Sequence, residues 1–220
     1  MSPPADRKSS ARFRLAAVGF NARVEPFAYS LERMRKDVGL FEYWGLKKES
    51  DRRLAAVREG LKKQKADDRT WLKAKGACVC NLRVARMGIL ADVREFAKTR
   101  PDGAKRFPHV LKTREFNAAA VPVPFDRPFT IPPAPGGKDP LVVVSAPRIA
   151  EELAELETTL RTEQTFRMKM VDFLDVTSDD LAKFDAKVGE VDEFWTKFGY
   201  VLLKRLADKS GESGFPILVA

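Results

Sequence analysis

The N-terminal half of the chain carries apolar residues at helical spacing. Pro26 suits the first turn of a helix, and a face with spacings of four and three follows it: Phe27, Leu31, Met34 and Val38. Gly39 is expected to end this helix. A second helix is predicted to begin at Ser50, and its apolar face consists of Leu54, Val57 and Leu61.

A third helix is predicted after Asp67 or Asp68. Seven residues there fall on one stripe: Trp71, Cys78, Leu82, Ala85, Ile89, Val93 and Phe96. Gly76 and Gly88 would each weaken this helix by about 1 kcal/mol relative to alanine. Residues 26–100 are therefore predicted to be a basic helical region, and residues 1–25 a basic N-terminal extension.

The pattern is clearest over residues 147–209, where it predicts an antiparallel helical hairpin. Ser145 and Pro147 mark a helix start, and the face beyond them is Ile149, Leu153, Leu156 and Leu160. A second helix is predicted from Thr177, which opens a sequence of capping-box form. Its apolar seam repeats at three and four through Leu181, Phe184, Val188, Val191, Trp195, Phe198 and Leu202. Residues 210–220 form a C-terminal tail.

Proline separates the two helical parts. Ten of the 14 prolines lie between Pro101 and Pro147, and proline at this density removes backbone donors and favours extended geometry. Residues 101–146 are therefore predicted to be an extended connector that runs over the surface of this chain or another. The predicted fold class is mainly α: an elongated long-helix hairpin and N-terminal helices, joined by the Pro-rich connector.

Charge divides the 220-residue chain at a similar place. Residues 1–114 hold 28 basic and 13 acidic residues, whereas residues 115–220 hold 12 basic and 18 acidic, and the formal net charge is +9. An apolar content of 44% is enough for a sizeable core and argues against an intrinsically disordered chain. No apolar run approaches the roughly 18 residues that a membrane-spanning helix needs.

Candidate catalytic and metal-binding residues are few. Cys78 and Cys80 lie two positions apart, so on a helix they would point to nearly opposite sides, and ordinary buried thiols are expected. His109 is the only histidine, and a loop or packing role is expected for it. The sequence has no phosphate-binding loop, nucleophile elbow or metal-ligand spacing. It therefore predicts a protein that is not an enzyme and that has no cofactor or metal.

A basic stretch lies between Trp44 and Trp71. Its candidate contacts to an anionic partner are Lys47, Lys48, Arg52, Arg53, Lys62, Lys63 and Lys65. Such a stretch can neutralise RNA phosphates or the headgroups of anionic lipids. Interspersed acidic residues equally fit a solvated helix face, so the three interpretations stay open.

Two segments resemble subunit d of the peripheral stalk of mitochondrial F-type ATP synthases. The first is Phe116-Asn-Ala118 followed by Val121-Pro-Val-Pro124, and the second is Val171 to Phe184, which includes Thr177-Ser-Asp-Asp-Leu181. Their order and separation are similar to those of the family over residues 115–185. The region Arg52-Arg-Leu-Ala-Ala56, with Trp71 downstream, is a looser match.

The resemblance implies a non-catalytic stator subunit, which helps to hold the catalytic head against rotor torque during proton-driven ATP synthesis. It implies contact with subunit b and neighbouring stalk subunits, on the matrix side of the mitochondrial inner membrane. The stripe Ile149 to Leu160 and the seam Leu181 to Leu202 are then the candidate partner interface. The alternative is a helical accessory protein of a mitochondrial ribosome or another ribonucleoprotein, which binds RNA through residues 47–75.

Overall fold

The computed structural model describes residues 20–37, 40–66, 68–84, 88–133, 139–160 and 192–219. Its elements in chain order are β1 Phe20–Val24, α1 Phe27–Asp37, α2 Leu40–Lys63, a 3₁₀ helix Thr70–Lys73, β2 Cys80–Val84, α3 Ile89–Lys98, α4 Gly103–Arg106, α5 Pro108–Lys112, β3 Ala118–Val121, β4 Phe129–Ile131, β5 Leu141–Ser145, α6 Ala146–Leu160, α7 Asp192–Ser213 and β6 Ile217–Val219. Within these ranges the helices flank a mixed sheet.

The sheet has six strands in the order β2-β1-β6-β3-β5-β4. Strands β3 and β5 are parallel, and the other neighbours are antiparallel. Strand β6 lies between β1 and β3, so Leu218 pairs with Arg23 on one side and with Ala119 on the other. Strand β6 therefore joins β1 and β2 to the other three strands.

The prediction of a mainly α, elongated fold is wrong, because this sheet organises the chain. The stripe assigned to a third helix is divided among different elements: Trp71 lies in the 3₁₀ helix, Leu82 in β2 and Ile89 in α3. Gly88 precedes α3 with φ at +90°, a left-handed conformation that glycine adopts readily and that interrupts a helix. Apolar residues on a strand and on the next helix happened to fit one helical period.

The prediction that residues 101–146 form an extended connector on the surface is also wrong. Strand β3 is buried along its whole length, and β5 is buried from Val142 onward. Strands buried on both faces are continuous apolar runs without alternation, as the sequences Ala118–Val121 and Leu141–Ser145 are. Proline stands beside these strands: Pro122 directly follows β3, and Pro140 directly precedes β5.

Several predicted helices are confirmed. Pro26 directly precedes α1, and the Ser145 hydroxyl accepts the N–H of Arg148 at 3.2 Å, which caps α6. Val57 and Leu61 form a buried face of α2, although α2 begins at Leu40 and not at Ser50. Only parts of the two predicted hairpin arms are seen: α6 covers the first, and α7 covers the second from Asp192 onward, whereas the second arm was predicted from Thr177. Residues 161–191 lie outside the described part, and the sheet contradicts the long-helix hairpin as the fold of the chain.

One face of the sheet carries the larger core. Helices α3, α5, α6 and α7 pack there on Phe20, Ala22 and Val24 of β1 and their neighbours. Helices α3 and α7 approach closely at Gly199, where a Cβ atom would lie 2.6 Å from the Ile89 carbonyl oxygen. In the described ranges, no helix has the length and apolar content to cross a bilayer.

The opposite face is covered over only part of its area. Helix α2 and the 3₁₀ helix place Val57, Leu61 and Trp71 in a second core with apolar residues of β3, β4 and β5. On β1 and β2 the same face presents polar side chains, and Arg23 Nε donates to the Asn81 side-chain oxygen at 3.2 Å. This face is thus apolar under α2 and polar toward β2.

Candidate ligand-binding cavity

A cavity of about 420 Å³ lies at the border between the covered and the polar halves of this face. Ala119 and Leu218 belong to its floor, while α1, α2 and the 3₁₀ helix form its walls. Ala119 is in the alanine-rich strand β3, and its small side chain leaves room between sheet and helices. A valine or leucine at that position would occupy part of the space.

The polar end of the cavity is an ion pair between a buried acid, Glu25, and a partly exposed arginine, Arg33. Glu25 is 1% exposed, and Arg33 Nη2 donates to its Oε1 at 3.1 Å. The other carboxylate oxygen, Oε2, has no hydrogen-bond partner among the described residues, and neither has the buried Nε of Arg33. The side-chain oxygen of Asn21 is likewise buried and unpartnered within those residues. Three residues that line one cavity therefore carry polar atoms with unused hydrogen-bonding capacity.

Local sequence explains how these groups meet. In β1 the buried residues alternate with less buried ones, as expected for a strand with one face on a core. Glu25 directly follows β1 and lies four positions after Asn21. Because side chains alternate along an extended chain, residues an even number of positions apart point to the same face. Pro26 then starts the turn into α1, where the Ser30 N–H donates to the Pro26 carbonyl at 3.1 Å. Arg33 follows Ser30 by three residues, which places both on the cavity side of the helix.

The remaining walls are largely apolar. Leu54 and Val57 of α2 face Val121 and Leu141 across the cavity, and Trp71 closes one side. Trp71 is 5% exposed, and its indole N–H is satisfied by the Asp68 carbonyl at 3.0 Å. The wall groups therefore offer a ligand apolar contact area.

Two further arginines line the cavity but are already paired. Arg23 bonds to Asn81, as described above, and Arg53 Nε donates to Glu49 Oε1 at 2.7 Å. Hydrogen bonds from Arg52 and Arg53 hold the pKa of Glu49 at about 2. These pairs leave Arg33 as the cavity-lining arginine in the described part that has a buried, unpartnered donor.

A smaller cavity of about 310 Å³ shares Arg23, Glu25 and Arg33 with the first cavity and includes Cys78. The Cys78 thiol donates to the Cys80 carbonyl oxygen at 3.1 Å, and burial raises the pKa of the thiol. Both cysteines are free and not disulfide-bonded. This environment disfavours the reactive thiolate form.

His109 packs in the interior, as the sequence predicts. Its Nδ1 accepts the backbone N–H of Ser145 at 3.0 Å, and burial lowers the pKa of the imidazole to about 4. The carboxylate of Glu152 accepts the N–H groups of His109 and Val110 at 3.0 and 2.7 Å. Sequence reasoning did not single out Glu152, because the backbone groups that it accepts lie 43 and 42 residues away in the chain.

The candidate partner interface lies mostly inside this chain's own core. Six of its residues are buried, at 3% exposure or less: Ile149, Leu153, Leu156, Leu160, Phe198 and Leu202. Trp195 is half-buried. The other four lie outside the described residues: Leu181, Phe184, Val188 and Val191. The buried six therefore present no surface to a partner.

The candidate contacts to an anionic partner all lie on α2 or just after it. Lys48, Lys62, Lys63 and Lys65 are exposed. Lys47 pairs with Asp51 at 2.6 Å, and Arg52 and Arg53 both pair with Glu49. The structure thus places four exposed lysines and three paired cations on α2 or just after it, and of these seven Arg53 also lines the cavity.

The described ranges contain no group of three or more histidine, cysteine, aspartate or glutamate residues that could hold a metal ion. No single motif in the sequence predicted the Glu25–Arg33 cavity. Among the described features, this cavity offers a ligand both apolar walls and charged side chains. The chain matches no family model, no curated protein and no solved structure.

Proposed function

We propose that this protein binds a small organic molecule in the 420 Å³ cavity, as a binding protein without a catalytic step. The observation that carries the proposal is the cavity itself, which combines apolar walls with the charged residues Arg23, Glu25, Arg33 and Arg53. Ligand sites are typically concave and mostly apolar, with a few convergent polar groups that fix orientation. This cavity has that composition.

The energetic argument concerns the cost of the unpartnered groups. A buried donor or acceptor without a partner costs about 1–3 kcal/mol, and more when it is charged. Glu25 Oε2 and Arg33 Nε both incur this cost. Both atoms lie beneath the cavity surface, so a ligand would gain its affinity from contact with the apolar walls and not from bonds to these two atoms.

Binding, and not catalysis, is proposed because of which side chains line the cavity. Ser30 and Ser50 are there, but the described lining contains no histidine, cysteine or lysine to activate them, and its one carboxylate, Glu25, is hydrogen-bonded to Arg33. A nucleophile of this kind needs a base within hydrogen-bonding reach.

The test is to fill the cavity. Ala119→Leu adds volume to its floor, and Ala55→Leu on the exposed face of α2 serves as the matched control. Toluene, phenol and benzamide are titrated into the full-length chain by ligand-observed NMR and calorimetry. We expect at least one probe to bind the wild type and Ala55→Leu equally and Ala119→Leu at least tenfold more weakly. Binding that is unchanged in Ala119→Leu, or absent from the wild type, would overturn the proposal.

Should Ala119→Leu fail to fold, the same titration is read on the wild type. Probe-induced shifts in the backbone NMR spectrum are then expected at Arg33, Leu54 and Ala119. Shifts confined to other surfaces would contradict the proposed site.

A second candidate is the peripheral-stalk role at the mitochondrial inner membrane. The observation that favours a protein partner is the exposure of Tyr29, Trp44 and Leu46 on α1 and α2, at 36, 59 and 39%. It ranks second because the mixed sheet replaces the long-helix architecture that the resemblance implied. In this role Trp44→Asp would release the chain from a megadalton, membrane-bound ATPase on native gels; a wild-type chain that never migrates with that complex would rule it out.

RNA binding through residues 47–75 stays a prediction. It requires an affinity that falls steeply with salt and that is lost when Lys62, Lys63 and Lys65 are changed to glutamate. A chain with no measurable affinity for single-stranded or duplex RNA at low salt would remove this alternative.

A further inference from the structure

The charges that the cavity presents to a ligand are positive. Its described lining holds three arginines, Arg23, Arg33 and Arg53, and one acid, Glu25, so its net charge is +2. Glu25 is 1% exposed and bonded to Arg33, which means that its negative charge is both covered and compensated. In contrast, the side chains of Arg33 and Arg53 are 36 and 32% exposed. A ligand that enters the cavity therefore meets guanidinium groups and not a carboxylate.

The charge of Arg23 has no acidic partner among the described residues. Its Nε donates to the side-chain oxygen of Asn81, a neutral amide, at 3.2 Å. That bond uses one of the five guanidinium N–H donors. Neither Nη atom of Arg23 is among the buried polar atoms, and neither makes a hydrogen bond within the described part of the chain. Arg23 therefore offers a ligand both an uncompensated charge and accessible donors.

Arg53 adds to this positive charge from helix α2. The Glu49 carboxylate accepts from Arg53 Nε at 2.7 Å and from Arg52 Nε at 2.8 Å. One acid thus compensates two guanidinium groups, and a positive charge remains on this side of the cavity. A positive surface in a cleft attracts anions and raises their local concentration.

The strand register places Arg23 beside the apolar floor. Arg23 pairs with Leu218, and Leu218 pairs with Ala119. Paired residues of neighbouring strands point to the same face, so these three form one row across the sheet. Because strands lie about 4.8 Å apart, Arg23 and Ala119 are separated by about 10 Å along this row. A ligand that lies along the row has its apolar part over Ala119 and its other end at Arg23.

From this arrangement we infer that the cavity binds an organic anion, a carboxylate joined by a short linker to an apolar, ring-sized body. The inference rests on the proposed binding function and names its ligand class. The carboxylate accepts hydrogen bonds from the Nη groups of Arg23, since guanidinium groups commonly bind carboxylates through two parallel bonds. The ring lies on Ala119 and Leu218, against Leu54 and Val57 of α2.

Charge argues against a cationic or a neutral ligand as the preferred class. A ligand ammonium would meet guanidinium groups, while the one acid of the described lining is covered. A neutral ligand would gain the apolar contacts but would leave the charge of Arg23 without a partner. Because Arg23 is only partly buried, an anion can reach it without losing all of its hydration, which limits the desolvation cost.

The experiment compares three probes that share a phenyl ring on a three-carbon chain: 3-phenylpropanoate, 3-phenylpropanamide and 3-phenylpropylamine. Each is titrated by calorimetry into the full-length chain at pH 7 and low salt. Charge-assisted hydrogen bonds are about twice as strong as neutral ones. We expect the carboxylate to bind about tenfold more tightly than the amide, and the amine to bind most weakly.

Two variants of Arg23 test the assigned contact. Arg23→Gln removes the charge and should cost the carboxylate about tenfold in affinity, while the affinity for the amide changes less than twofold. Arg23→Lys keeps the charge and should retain part of the preference for the carboxylate. The matched control is Lys105→Gln, which removes one positive charge from an exposed residue of α4 outside the cavity. It should leave all three affinities unchanged.

Should Arg23→Gln fail to fold, the wild-type chain provides the reading. The side-chain N–H resonances of Arg23 are expected to shift on titration with 3-phenylpropanoate and to stay in place with 3-phenylpropanamide. Shifts that are the same with both probes, or absent with both, would contradict the assigned contact.

The outcomes separate this inference from the function on which it rests. Equal affinities for the carboxylate and the amide, or a carboxylate preference that persists in Arg23→Gln, would overturn the organic-anion inference and leave a binding cavity. Tightest binding of the amine would also overturn it. If none of the three probes binds, the inference fails, and the proposed function fails with it only if toluene, phenol and benzamide do not bind either.

Discussion

Glu152 on α6 accepts the backbone N–H of Val110 at 2.7 Å and so caps α5 from another helix. Its second oxygen accepts the N–H of His109 at 3.0 Å. The first N–H groups of a helix have no partner within it, and here one buried carboxylate satisfies two of them. This contact fixes α5 against α6 over the larger core.

Glu152→Gln is therefore expected to destabilise the protein by about 1–3 kcal/mol, because an amide offers one acceptor oxygen where the carboxylate offers two. The free energy of unfolding is measured by urea denaturation at pH 8.5, where Glu152 is a carboxylate in spite of its raised pKa. The control is Glu151→Gln, next to it in sequence but on the exposed side of the helix, where little change is expected. Equal losses in the two variants would contradict the capping role.

The same pair predicts how stability depends on pH. Burial raises the pKa of Glu152 to about 7, so its contribution to stability falls as pH rises toward 7. Burial lowers the pKa of His109 to about 4, so its contribution rises with pH between about 4 and 6.5. From pH 5 to 6.5 the two contributions oppose each other in the wild type.

Each variant should expose the remaining contribution over that range. Stability should rise with pH in Glu152→Gln, where the buried histidine acts alone, and fall with pH in His109→Asn, where the buried acid acts alone. Neither slope should exceed about 1.4 kcal/mol per pH unit, the limit for one proton. Urea midpoints at pH 5.0, 5.5, 6.0 and 6.5 measure the slopes, and slopes of the same sign would contradict the assignment.

Two glycines of α7 should respond in opposite ways to alanine. A Cβ at Gly199 would lie 2.6 Å from the Ile89 carbonyl oxygen and 2.7 Å from Val93 Cγ2, so Gly199→Ala should cost about 1–3 kcal/mol. A Cβ at Gly211 would meet nothing within 4 Å, so Gly211→Ala should stabilise the helix by about 0.5–1 kcal/mol. Thermal unfolding distinguishes them, and a neutral Gly199→Ala would refute the close contact of α3 and α7.

Sequence reasoning found the helices whose ends are marked by local chemistry. Pro26 before α1 and Ser145 at the cap of α6 act within a few residues, and the faces beyond them have unambiguous helical spacing. The same reasoning missed β3 and β5, because prolines around Ala118–Val121 and Leu141–Ser145 suggested an extended surface segment. Whether a short apolar run is buried depends on its partners elsewhere in the chain. Here those partners are β6 and the helices that pack on the sheet.

The cavity could not be predicted from local sequence patterns, for a related reason. Glu25 and Arg33 are close in sequence, but the floor and walls come from β3, β6 and α2, which only the sheet order brings together. One signal was available in β1, where Asn21, Arg23 and Glu25 alternate with apolar residues. A period of two predicts a strand with one polar face. This strand lies at the end of residues 1–25, which were predicted to be a basic extension.

The most direct test of the binding account is a crystal structure of the full-length chain soaked with benzamide. The account predicts benzamide in the cavity, with its ring between α2 and β3. A structure in which the cavity holds no benzamide, or is filled by the chain's own side chains, would contradict it.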